Sequence, residues 1–144
     1  MFKYKLAVKL IERHLPVEIA EWGSESIYYD TNSKIMVIGK YFDPNDYGFM
    51  RHLGSVHKFV DADKYSYTLW HLLHEIGHFK TEEKYGNNLA VRQYFKENAK
   101  LMLRNTHLQN SFHNLRVEWE ATEWAINWVK NHPKKAKFLN LLVR

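Results

Sequence analysis

Residues 69–80 read "LWHLLHEIGHFK", setting three histidines and one glutamate into an otherwise apolar run. His74, Glu75 and His78 form an H-E-x-x-H pattern within it. On an α-helix, side chains at i and i+4 lie one above the other on a single face. Two imidazoles at that spacing can grip one zinc ion, with Zn–N distances of about 2.0–2.1 Å. Glu75 lies one step round the helix, roughly 100° from His74. It can therefore reach a metal-activated water without being a ligand, and act as general base for attack on a carbonyl. His71 has no role in that scheme.

A catalytic zinc site takes three protein ligands and keeps one position open. The chain has no cysteine, so the third ligand must be histidine or carboxylate, and disulfides and a thiolate nucleophile are excluded. The short continuation H-E-x-x-H-x-x-G-x-x-H is absent, because Thr81 and Lys84 stand in its glycine and histidine places. A distant helix must supply the ligand. Residues 116–129, "RVEWEATEWAINWV", carry Glu118, Glu120 and Glu123 among three tryptophans. A carboxylate buried unpaired in such a helix is costly, and a cation offsets that cost. Ala121 and Ala125 are small enough to let this helix approach the motif helix closely. Gly77 fits the same approach, since glycine in a helix interior otherwise costs about 0.5–1 kcal/mol relative to alanine. Glu118 and Glu120 both stand as candidate ligands on this reading.

A "HEIGH" helix followed 40 residues after His78 (118 − 78) by "EWEATEWA" resembles the gluzincin metallopeptidases. In particular it is similar to the ImmA/IrrE-type group, with its downstream E-x-E-A-x-x-F-A pattern. The likeness runs over residues 67–129, and Trp124 stands where that pattern has phenylalanine. The resemblance implies a small zincin-like domain, Zn2+ as cofactor and peptide-bond hydrolysis. It also implies Glu118 as the third ligand with Ala121 as the small residue that follows, leaving Glu120 as the alternative. Thr122 falls where the family has an Asp or Asn orienting a zinc-binding histidine, and offers a hydrogen bond there without a charge. A tetrahedral oxyanion needs a donor besides the metal. His113, just upstream of the glutamate helix, is the first choice over His107, Tyr94 and His71. The segment "KNHPKKAKFL" departs from the family's usual continuation.

Several elements must position these residues. Leu69, Leu72, Leu73, Ile76 and Phe79 form an apolar stripe behind the motif, and Asp61 or Asp63 is placed to cap the helix start. Phe2, Leu6, Leu10, Ile11 and Leu15 recur at helical spacing until Pro16, predicting an amphipathic first helix. "SIYYD" and "KIMVIG", joined by Thr31–Ser33, predict a β-hairpin. Residues 49–60 read as a third strand or an irregular segment. Further helices are predicted over about 89–104, about 109–131 and after Pro133. The fold class is then α+β, one domain over residues 1–144, mostly helical with a short antiparallel sheet before the motif helix. The strand at 34–39 is expected to be an edge with which an extended peptide can pair.

Composition narrows the rest. The chain is 45% hydrophobic and 15% aromatic, as an ordered globular protein is. Nothing approaches the ~20 apolar residues of a membrane span. Lys9, Glu12, Arg13 and His14 break up any signal-peptide core near the start. A cytoplasmic protein with no membrane partner is expected. The net charge of +5 with scattered basic residues favours a solvated surface over a nucleic-acid footprint, in the basic tail as elsewhere. The functional expectation is a zinc peptidase acting on a narrow range of protein or peptide substrates. Its competitor is a regulatory binding protein that kept the scaffold without proteolysis, against which the intact Glu75 speaks.

Overall fold

Helix α1 (Phe2–Ile11) is followed by three short strands, β1 (Val17–Ala20), β2 (Ile27–Asp30) and β3 (Ile35–Gly39). A 3-10 turn (Ala62–Lys64) then leads into α2 (Tyr67–Tyr85), and α3 (Arg116–Asn131) and α4 (Pro133–Val143) complete the order. The computed structural model describes residues 2–20, 26–42, 57–59, 61–85 and 116–144. Among them the architecture is α+β, with four α-helices around a small mixed sheet.

The hairpin forms where the sequence places it. β2 and β3 pair antiparallel with Ile27 opposite Ile38 and Tyr29 opposite Met36. Asp30 closes the turn: its carboxylate accepts from the Asn32 N–H at 3.0 Å and from the Ser33 hydroxyl at 2.9 Å. Lys34 takes the left-handed conformation (φ 57°) that the turn requires.

The sheet is nevertheless not antiparallel throughout. Its order is β1-β3-β2, and β1 runs parallel to β3, with Val17 beside Met36. The third strand thus comes from "VEIA", immediately after Pro16. Four residues at a sheet edge are too few for a period-2 pattern to stand out. Most of residues 49–60 lies outside the described residues, and 57–59 form no strand. A second correction follows, since β3 is central and hydrogen-bonded on both sides. Among the described residues the edges are β1 and β2.

Helix α2 starts at a different cap from the one expected. The Ser66 hydroxyl accepts from the Leu69 N–H at 3.3 Å, the N-cap bond to the third helical residue. Asp61 and Asp63 belong to the preceding 3-10 turn, where Asp61 makes no side-chain cap bond. The predicted stripe holds: Leu69, Leu72, Leu73 and Ile76 are fully buried and Phe79 packs on the same core. This core lies between the inner face of the sheet and α1, α2, α3 and α4.

α1 is a helix, and of its predicted stripe Ile11 packs on the core and Leu15, just beyond the helix, is buried, but the other three face outward. Tyr4, Ala7 and Val8 are buried, while Phe2, Leu6 and Leu10 face outward. Two apolar sets share this helix, and the one containing the small Ala7 allows the closer approach. The helix predicted over 89–104 and the onset of the one predicted from 109 lie outside the described residues. α4 begins with Pro133 in its first turn, a position where proline's missing N–H has no cost. Among the described residues, no helix is long and apolar enough to cross a membrane.

Candidate metal centre

The site begins with the contact between α2 and α3. A Cβ on Gly77 would lie 2.5 Å from the Ala121 carbonyl oxygen and 3.0 Å from its Cα. No residue with a side chain fits there, so glycine sets the approach of the two helices. Ala121 and Ala125, both fully buried, complete the close face. One turn before Ala121, α3 delivers Glu118 against the His74–His78 face of α2.

His74 Nε2 lies 2.9 Å and His78 Nε2 3.2 Å from the same oxygen, Glu118 Oε2. The two rings are nearly perpendicular, at 86°, with centroids 4.7 Å apart. Ligand atoms of the three residues all lie within 4.8 Å of one another. A tetrahedral ion at about 2.0–2.1 Å from each donor holds neighbouring donors roughly 3.3 Å apart. The two histidine–carboxylate contacts need to open by only a few tenths of an ångström, and two imidazoles with one carboxylate form a donor set suited to zinc. The residues fit the metal.

Electrostatics point the same way. Burial works to lower the His78 pKa, yet the Glu118 carboxylate, by charge and hydrogen bond, raises it to about 9. Burial works to raise the Glu118 pKa, but charge from His78 and hydrogen bonds from both imidazoles pull it well below the ordinary carboxylate value. The buried carboxylate is held by a protonated His78 ring and hydrogen-bonded to a second imidazole. A divalent ion replaces the proton with a larger positive charge at the same point.

Thr122, one turn after Glu118, sits behind His74. Its Oγ1 is 2.9 Å from His74 Nδ1, and the residue is 1% exposed. The hydroxyl can partner Nδ1 in either tautomer, and it would accept from Nδ1–H when Nε2 is on a metal. α3 thus supplies both a candidate ligand and a hydrogen-bond partner for another.

Glu75 faces the sheet. Its Oε2 accepts from the Tyr29 N–H at 2.9 Å, and its Oε1 lies 3.8 Å from His71 Nε2. His71 donates from Nε2 to the Ile27 carbonyl at 2.8 Å and accepts at Nδ1 from the Tyr67 hydroxyl at 2.9 Å. Both backbone groups belong to the outward edge of β2. The Tyr29 hydroxyl reaches along α2 to the Glu82 carboxylate. Tyr29 therefore ties the strand to α2 at two points, seven residues apart.

The structure brings together His74, His78 and Glu118, with Glu75 on the adjoining flank. Glu120 is not part of the convergent group, as its offset of two residues puts it roughly 200° round the helix from Glu118. His113, His107 and Tyr94 lie outside the described residues. Tyr29 and the anchoring role of His71 were not legible in the sequence. The first acts through a backbone N–H, which no residue type reports, and the second through a carbonyl 44 residues away. Comparison with protein-family models, curated proteins and solved structures finds no match to this chain.

Proposed function

We propose that this chain is a zinc-dependent peptidase of small gluzincin type, similar to the ImmA/IrrE group. The observation that carries the reading is the convergence of His74, His78 and Glu118 on one point, with Glu75 next to His74 on the same helix and its charge acting on His78. Bound zinc supplies an activated water and polarises the scissile carbonyl. Glu75 takes the proton from the attacking water and passes it to the leaving amine. In the substrate-free chain the Tyr29 N–H holds one of its oxygens and keeps the carboxylate parked against the sheet. Thr122 holds the His74 ring in place and would accept from Nδ1–H with Nε2 on the metal.

The corrected sheet also relocates the substrate. An extended protein segment is proposed to lie along the outer edge of β2, antiparallel or parallel to Tyr29 and Ile27. Pairing there competes with Glu75 for the Tyr29 N–H and with His71 for the Ile27 carbonyl. Docking thereby frees the base at the moment it is needed.

Metal analysis of the purified chain tests the reading. About one zinc per chain is expected, retained in Glu75→Gln and in Glu120→Gln but weakened in Glu118→Gln. A zinc content indifferent to Glu118 rejects the ligand set. Cleavage of a protein substrate by the wild type and not by Glu75→Gln establishes the peptidase. Zinc binding without cleavage across a proteome-derived peptide mixture supports the regulatory binding protein instead.

A further inference from the structure

Both α1 and α4, which pack together, show apolar side chains to solvent. Phe2, Leu6 and Leu10 are 76%, 38% and 38% exposed, and Phe138 and Leu141 of α4 are 57% and 62% exposed. The two helices pack together, and Lys3 Nζ donates to the Arg144 carbonyl at 2.9 Å, tying the start of one to the end of the other. Each helix therefore buries one apolar face in the core and shows a second to solvent.

The charge around these stripes is of one sign. Lys3, Lys5, Lys9 and Arg13 surround the first, and Lys134, Lys135 and Lys137 the second. Neither helix carries an acidic residue, and the nearest one, Glu12, is buried and paired with Lys80. These seven cations leave 14 of the chain's 21 facing 16 carboxylates in the remainder. The chain's net positive charge thus resides on these two helices and on Arg13 just after the first.

We propose that this face binds the surface of a bilayer containing anionic phospholipid. A stripe of Phe and Leu flanked by lysines is the pattern of a helix lying in the headgroup region. There the apolar side chains enter the acyl boundary and the lysine stems reach back to lipid charges. A second copy is disfavoured, because it sets seven cations against seven. A nucleic acid matches the charge but offers nothing to five exposed apolar side chains. The absence of a membrane span leaves surface binding open, and this inference is independent of the metal centre.

Flotation of the full chain with vesicles of phosphatidylcholine, with or without phosphatidylserine, tests it. The chain is expected to float with the phosphatidylserine vesicles only, and less so as salt rises. Lys134→Ala, Lys135→Ala and Lys137→Ala together are expected to lower partitioning on the order of a hundredfold. Phe138→Ser with Leu141→Ser should reduce it separately while leaving circular dichroism and zinc content unchanged. No flotation at low salt overturns the proposal, as does equal flotation with neutral vesicles or indifference to the lysine changes. Tight binding of an acidic peptide or an oligonucleotide without vesicle binding replaces the lipid with that partner.

Discussion

Gly77→Ala offers the sharpest test of the helix contact on which the metal centre depends. The new methyl would meet the Ala121 carbonyl oxygen at 2.5 Å and its Cα and C at 3.0 and 3.1 Å. These are backbone atoms, so no side-chain rotation relieves the clash, and α3 must retreat by about 1 Å to restore ordinary contact. Alanine's better helix propensity returns about 0.5–1 kcal/mol. Overpacking a buried contact costs about 1–3 kcal/mol, and an immovable neighbour argues for the upper part of that range. The net loss is about 1–2 kcal/mol, or roughly 3–8 °C in melting temperature for a chain of this size. Glu118 lies one turn from Ala121, so the same retreat stretches both of its histidine contacts, and zinc affinity is expected to fall about tenfold or more. Thermal melts and competition with a chelator measure the two effects. Adding Ala121→Gly should not rescue the variant, because the obstruction is main chain. A Gly77→Ala protein that melts at or above the wild type with unchanged zinc affinity refutes the contact.

Three further outcomes follow from the same geometry. Thr122→Val removes the acceptor behind His74 Nδ1 and is expected to weaken zinc binding about 10–100-fold, with Thr122→Ser retaining most of it; equal chelator competition by Val and wild type counts against the orienting role. In the metal-free chain the raised His78 pKa stabilises fully below about 6.5 and is lost as pH rises through about 9. The Glu118 contribution, with its pKa depressed, is present above about 4.5 and lost in acid. The metal-free melting temperature should therefore drop on the alkaline side, and zinc uptake near pH 7 should release about one proton per ion, which calorimetry in buffers of different ionisation heat reads directly; zero release refutes the His78–Glu118 pairing. Lys80→Met removes the ion pair with Glu12, whose carboxyl hydrogen bonding and charge from Lys80 hold below its usual 4.5. That variant should be less stable than the wild type above about pH 4.5 and converge with it in acid, and a pH-independent gap would assign the loss to packing instead.

What the sequence disclosed, and what it hid, divides along a physical line. The H-E-x-x-H spacing, the stripe from Leu69 to Ile76 and the glycine at 77 are statements about one helix face, and each survives folding. The helix of Glu118 was reachable because carboxylates among tryptophans call for a counter-charge, while the choice of Glu118 over Glu120 came from the resemblance. β1 was not, because its four residues derive their stability from pairing with β3, far along the chain, and carry no period of their own. The inward face of α1 was misjudged for a related reason. Both of its faces are apolar, and only the shape of the neighbours, which favours Ala7 over Leu6 and Leu10, decides between them. The Ser66 cap displaced two aspartates because capping depends on where the first turn starts, which composition does not locate.

The carboxylate of Glu118 explains why packing and chemistry cannot be separated here. Its side chain is buried, and an isolated charge in that position would cost several kcal/mol. In the metal-free chain the cost is offset by a proton on His78, drawn there by Glu118 itself. The proton holds the two imidazoles and the carboxylate at nearly the separation a metal requires, so the ligands do not have to be gathered when the ion arrives. The spacing is set by Gly77 against Ala121, not by the ligands. A chain that kept all three ligands but lost that glycine would keep the charges and lose the distance, and the proton alone is too weak a clamp to restore it.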